Sequence, residues 1–226
     1  TGLDEEGIRA LAASKYLGNI THLNLGLNKI DDDGLRAIAA SRHLRNLVYL
    51  NLSGNLFGIE GLKALAASEN LRNLSSLSLM GAAIGNDKLC ILANSPTLMN
   101  LVKLNLRENI IGNDGIIALA SSPNFRKLKE LNLISNLIGR EGARGIATSD
   151  ILTNLEALSL DYKRLGAEGA LALSQSATLR NLKSLSLNDV AMDEDGARHL
   201  LESPYLKGLL SLWLLDYDLS EDILTR

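Results

Sequence analysis

The 226-residue sequence predicts an α/β solenoid bent into a horseshoe, with a parallel inner sheet of about eight strands and helices on the convex face. Three observations carry that prediction. Fifty residues are leucine and only 4% are aromatic, which suits a repetitive interior better than an ordinary mixed core. One spacing of 27 residues runs from end to end: the frame that begins at Ile20 returns at Leu47, Leu74, Leu101, Leu128, Leu155, Leu182 and Leu209 without insertion or deletion. Within each unit the apolar period switches from two to that of a helix.

The first half of a unit is the strand. Leu23 and Leu25, or Leu50 and Leu52, alternate as in a strand with one buried face. The second half is the helix: in Gly61-Leu62-Lys63-Ala64-Leu65-Ala66-Ala67-Ser68, the residues Leu62, Leu65 and Ala66 share one face and Lys63 points away. A lone unit cannot bury its leucines, whereas stacked units share a continuous core. Parallel strands pack ~4.8 Å apart and helices ~8–10 Å apart, so the sheet lies inside. With layers ~10 Å apart, the mismatch predicts a bend of ~25° per unit, a near half-circle over the chain and a sheet ~35 Å long.

Residues 20–208 make seven full units, residues 1–19 match the second half of a unit, and residues 209–226 supply most of an eighth. No linker-like or compositional break interrupts the series, so residues 1–226 are expected to form a single domain. The single Cys90 cannot form an internal disulfide and fits a reducing, cytoplasmic setting. A net charge of −3 argues against a nucleic-acid binder, which needs a concentrated basic face. No apolar run approaches a membrane span, and the start Thr1-Gly2-Leu3-Asp4-Glu5 is unlike a signal peptide, although Thr1 is not an initiator Met.

The unit L-x-x-L-x-L-x-x-N-x-I, as in Leu101-Val102-Lys103-Leu104-Asn105-Leu106-Arg107-Glu108-Asn109-Ile110-Ile111, resembles a leucine-rich repeat along the whole chain. A helix in every unit is similar to the ribonuclease-inhibitor-like class of these repeats. Gly169-Ala170-Leu171-Ala172-Leu173 is similar to the GALA-type variant found in effectors of bacterial pathogens. The F-box that often accompanies GALA repeats is not recognisable here.

Several columns look functional but have a structural reading. Asn28, Asn55, Asn109 and Asn136 stand where an amide can satisfy backbone groups at the bend of the next unit. Ala82, Lys163, Val190 and Tyr217 replace that Asn, so units three, six, seven and eight are expected to be less firmly tied. The acidic column Glu6, Asp33, Glu60, Asp87, Asp114, Glu141, Glu168, Asp195 and Asp222 sits at helix starts, where the helix dipole favours negative charge. No second oxygen-rich column completes a calcium site. Ser14, Ser41, Ser68, Ser95, Ser122, Ser149, Ser176 and Ser203, with Pro96, Pro123 and Pro204 beside them, end helices. The partly basic column Arg45, Arg72, Arg126, Arg180 and Lys207 reads as a solvated edge.

No catalytic, metal or cofactor site is expected. His22, His43 and His199 occupy different slots of distant units, and Cys90 sits on an outer helix away from all three. The recurring glycines, such as Gly34 and Gly142, belong to the helix start and serve packing. Lys88 replaces that glycine in unit three, and Cys90 with Ile117 makes the outer face there less charged, leaving a convex contact open.

Function is therefore expected on the concave wall, whose side chains are free to vary. The third slot reads His22, Tyr49, Ser76, Lys103, Glu130, Ala157, Ser184, Ser211, and the fifth is a quiet Asn/Ser lane ending at Trp213. Tyr49, Tyr162, Trp213 and Tyr217 face inward, whereas Phe57 and Phe125 fall in core slots. Exposed Tyr and Trp are favoured interface anchors. With Asp161, Asp189, Asp216 and Asp218 they define an aromatic, acidic patch toward the C-terminus; Asn188 lies beside it. Lys103, Arg107 and Lys129, with Glu130, make the middle of the wall mixed or basic. Trp213 lies on the last strand and either anchors a partner or caps the sheet. The predicted function is a non-catalytic, otherwise monomeric module that binds a folded protein in its concave face. The resemblance implies a host protein or another bacterial effector as partner, inhibition of an enzyme partner as in ribonuclease-inhibitor-like proteins, and translocation into a host cytosol. The alternative is a substrate-recruiting module of a larger assembly of the ubiquitin-ligase type.

Overall fold

The computed structural model describes residues 2–160, 165–188 and 191–214. Eight three-residue strands form one sheet in chain order: β1 His22–Asn24, β2 Tyr49–Asn51, β3 Ser76–Ser78, β4 Lys103–Asn105, β5 Glu130–Asn132, β6 Ala157–Ser159, β7 Ser184–Ser186 and β8 Ser211–Trp213. Every pair is parallel and in strict 27-residue register, with Leu23, Leu50, Leu77, Leu104, Leu131, Leu158, Leu185 and Leu212 in one row. Strands this short suffice because each serves as one rung, and its neighbours extend the ladder on both sides.

Eight helices alternate with the strands: α1 Glu5–Ala13, α2 Asp32–Ala40, α3 Ile59–Ala66, α4 Asn86–Ala93, α5 Asn113–Ser121, α6 Arg140–Ala147, α7 Gly166–Ser174 and α8 Glu194–Leu201. Their apolar stripes meet the strand leucines in one continuous core that runs from Ile8 to Leu206 and includes Phe57 and Phe125. A short 3-10 turn follows several helices, at Lys15–Leu17, Arg42–Leu44, Glu69–Leu71, Pro123–Phe125 and Ala177–Leu179. These turns were not expected from the apolar periodicity, because three residues are too few to set a period.

The serine column does more than end helices. The hydroxyls of Ser41, Ser68, Ser95, Ser122, Ser149, Ser176 and Ser203 each donate to a carbonyl at the end of the preceding helix, from Ala12, Ala39, Ala66, Ala93, Ala120, Ala147 and Ser174 in turn. Orphan helix-end carbonyls are thereby satisfied from the next unit.

The asparagine column also points the other way from expectation. Asn55 donates to Leu25 O and accepts from Ile30 N, and Asn136 donates to Leu106 O and accepts from Ile111 N. Each therefore ties the preceding unit, because the amide lies under the bend already made. Ala82 is buried, and unit three's own bend is held by Asn109, whose Oδ1 accepts from Ala82 N and Ile84 N. What Ala82 forfeits is a hold on unit two. Lys163, Val190 and Tyr217 lie outside the described residues.

Helix starts use a third ladder. Asp32, in the first turn of α2, accepts from Gly58 N and Gly61 N at the start of α3. Asn86 accepts from Gly112 N, and Asn113 from Gly139 N and Gly142 N. A Cβ on Gly61 or Gly115 would lie 2.6 Å from the capping oxygen of Asp32 or Asn86, so these glycines admit the cap as well as close packing. The acidic column occupies the first turns of the described helices, from Glu6 to Asp195; Asp222 is outside the described residues.

Candidate functional site on the concave wall

Two lanes of side chains stand on the open face of the sheet because the alternate leucines are buried beneath it. Register aligns His22, Tyr49, Ser76, Lys103, Glu130, Ala157, Ser184 and Ser211 across the eight strands. Asn24, Asn51, Ser78, Asn105, Asn132, Ser159, Ser186 and Trp213 form the parallel lane.

The first lane is built as a trough. His22 and Tyr49 stack with ring centroids 5.7 Å apart, and Thr21 Oγ1 lies 2.9 Å from His22 Nδ1, which fixes the N-terminal wall. Ser76 follows as a dip, with Ser78 beside it in the parallel lane. Lys103 Nζ then pairs with Glu130 Oε1 at 2.7 Å, and Ala157 and Ser159 make a second dip beyond. The whole depression has a volume of about 350 Å³ and runs from Tyr49 to Ser159. Small side chains, unremarkable in sequence, line its floor; for Ser76 the signal is the contrast with Tyr49 and Lys103 in the same column.

The second lane is more structural than its exposure suggests. Asn24, Asn51, Asn105 and Asn132 each accept from the backbone amide two residues on, at Gly26, Ser53, Arg107 and Ile134. The side chains thus shape the turn that follows each strand. Asn51 also donates to Asn24 Oδ1 at 2.9 Å, binding β1 to β2 on the surface.

Charges along the wall cancel in pairs, so of the mixed or basic character expected at its middle the structure shows the mixed one. Arg107 pairs with Glu108, and Lys129 and Lys183 both reach Glu156 at 2.6 Å. Hydrogen bonds from those two ammonium groups push the Glu156 carboxyl down to about 2. Lys103 has already given its charge to Glu130. The wall is therefore patterned in sign from one unit to the next, with Glu130 flanked by uncharged Ala157 on its far side.

Among the predicted site residues, the structure brings Tyr49, Lys103 and Glu130 into one trough, with Arg107 at the bend above it. Asn188 lies after β7 and donates to Ser186 Oγ at 3.1 Å. Trp213 lies on β8, is 54% exposed, and accepts through its carbonyl from Leu187 N. Asp161, Tyr162, Asp189, Asp216 and Tyr217, with Asp218, lie outside the described residues.

His22 stands on the concave wall, His43 in a 3-10 turn and His199 on α8, while Cys90 lines a groove between α3 and α4 with Lys63, Ile91 and Pro96. Among the described residues no three His, Cys, Asp or Glu side chains are placed to hold a metal ion. No described helix is long and apolar enough to cross a membrane.

Comparisons with known proteins agree on the architecture. Residues 19–39, 43–66, 97–120 and 126–147 match a family model described as a leucine-rich repeat. No curated protein matches the sequence. The structure is similar to the crystal structure of an internalin from Listeria monocytogenes, with a TM-score of 0.50 and 23% identity, over 92% of this chain and 67% of that one. The fold is a leucine-rich-repeat solenoid.

Proposed function

We propose that this solenoid is a non-catalytic binding module that grips a folded protein partner in its concave wall. The trough between Tyr49 and Ser159 carries the proposal. It combines an aromatic anchor held rigid by His22, a dip that admits a partner side chain, and a charge pair whose carboxylate is open toward Ala157. Rigid aromatics beside a recess bind with little entropy to lose. The partner's matching face presents a large side chain over Ser76 and a Lys or Arg over Glu130.

The resemblance to effector-type and ribonuclease-inhibitor-like repeats supports a partner that is a host or bacterial protein, with inhibition following when the grip covers an active site. A lone cysteine supports action in the cytoplasm or, after translocation, in a host cytosol.

Affinity capture on immobilised protein tests the reading. A partner retained by the wild type should be lost, or weakened about tenfold or more, by Tyr49→Ala combined with Lys103→Ala and Glu130→Ala, with the thermal melt nearly unchanged. Retention of the same proteins by both would remove the trough from consideration.

A further inference from the structure

A second surface lies where the strands turn toward the helices. Leu27 is 84% exposed, Leu56 77% and Ile110 59%, and Leu137 follows in the same column as Leu56 and Ile110. Met80 and Ile134 stand half-buried on the concave side of this rim. The core takes none of the first three side chains, so each leaves apolar surface in water.

Leu27 carries a further cost. Its slot needs a left-handed backbone, which Gly54 and Gly81 adopt freely at φ of 65° and 61°, whereas Leu27 at 57°, like Glu108 and Ser135 in later units, holds it with a Cβ. Its side chain rests across Gly54, where a Cβ would sit 2.6 Å from Leu27 Cδ2. An exposed leucine in a conformation that favours glycine is unhelpful to the fold by both measures.

The charge beside this stripe is negative. The first turns of the neighbouring helices place Asp33, Glu60, Asp87, Asp114 and Glu141 along it. Asp33, Glu60 and Glu141 have basic partners in Arg36, Lys63 and Arg140. Asp87 and Asp114, in the first turns of the helices before and after Ile110, are exposed and make no ion pair among the described residues. Among the described residues Lys29 is the one base in the stripe's own column.

From these observations we infer that the rim binds a basic, amphipathic peptide segment of a partner protein, its apolar side chains on Leu27, Leu56 and Ile110 and its Lys or Arg residues over Asp87 and Asp114. The carboxylates oppose an anionic lipid surface, which would otherwise suit an apolar stripe. This surface is separate from the concave trough and stands whether or not the trough binds.

A short synthetic peptide of alternating Lys and Leu is the probe, with Glu-Leu and Lys-Ser peptides as controls, and binding is read by fluorescence anisotropy. Wild-type protein should bind the Lys-Leu peptide and neither control. The variant carrying Leu27→Asn, Leu56→Ser and Ile110→Ser should bind it about tenfold more weakly, with a thermal melt as high as wild type. Asp87→Asn with Asp114→Asn should weaken binding and flatten its salt dependence. Tyr49→Ala should leave the affinity unchanged, which separates this surface from the trough. No binding of Lys-Leu, equal binding of Glu-Leu, or full affinity in the rim variant would each overturn the assignment.

Discussion

The boundary between α4 and α5 and the boundary between α3 and α4 are built from the same slots with different residues. At the first, Asn86 caps the start of α5, Gly115 makes room for it, and Asn109 ties the bend of the unit before. At the second, Ile59 stands where Asn86 would cap, Ala82 where Asn109 would tie, and Lys88 where Gly115 would yield space. These changes go together for a reason. An isoleucine offers no oxygen to an incoming helix, so the glycine that admits a cap is no longer needed, and a long side chain can occupy its place. Lys88 then reaches back to donate to Phe57 O at 2.8 Å and lies over the Phe57 ring at 5.7 Å. Burial lowers its ammonium pKa, and the nearby Asp32 partly offsets that. Ile91 fills a slot that holds Ala64 or Ala118 in adjacent units, and the groove beside it is open to about 430 Å³. A repeat can thus exchange one set of ties for another as long as they change as a group.

The largest effect expected from breaking the regular boundary is at Asn109. Asn109→Ala leaves Ile84 N and Leu79 O buried without a partner, so the loss should be about 3 kcal/mol, read as a lower denaturant midpoint. The mirror change at the irregular boundary, Ala82→Asn, should cost far less and gains if the amide reaches Leu52 O and the amide of Phe57. A loss at position 82 as large as at 109 would mean that packing volume rather than hydrogen bonding sets the column.

Next in size is the link between cap and glycine. Gly115→Ala drives a Cβ to 2.6 Å from Asn86 Oδ1 and 3.1 Å from its Cα, for an expected cost of about 2 kcal/mol. At the irregular boundary, Ile59→Asn should help only when Lys88→Gly accompanies it, because the lysine both blocks the cap and holds Phe57. A double-mutant cycle should give a coupling of about 1 kcal/mol, and additive effects would dissolve the link.

The sequence made the strand positions, the helix positions and the core leucines legible because each rests on periodicity, which a single chain repeats eight times. The serine, asparagine and helix-start columns were visible as columns, but their partners were not. A hydrogen bond to the preceding unit and one to the next look alike in a list of residues, and only the stacking direction of Asn55 on Leu25 and Ile30 separates them. The trough was half legible. Tyr49, Lys103 and Glu130 stood out by type, whereas the serines that give it depth are informative only beside larger neighbours. Leu56 was hidden because an apolar residue in a leucine-rich chain reads as core until its exposure is known, whereas the slot of Leu27 already faced the cavity or its rim.

The smallest expected effect concerns the ionic ladder at the start of β5 to β7. Glu156 accepts from both Lys129 and Lys183, and its folded-state pKa of about 2 lies below its ordinary value of 4.5. A depressed carboxyl contributes stability that is present above 4.5 and disappears as pH falls toward 2. The two lysine side chains are more than half exposed, so the effect on the melt should be small and should shrink with added salt. Carboxyl-carbon NMR should show Glu156 still ionised well below its ordinary value of 4.5. In Lys129→Ala the midpoint should rise partway, and in the Lys129→Ala, Lys183→Ala double variant it should return to the ordinary range. A wild-type midpoint at the ordinary 4.5 would mean that the two lysines do not hold Glu156 in solution, and the paired charges of the wall would then be those of Lys103 with Glu130 and Arg107 with Glu108.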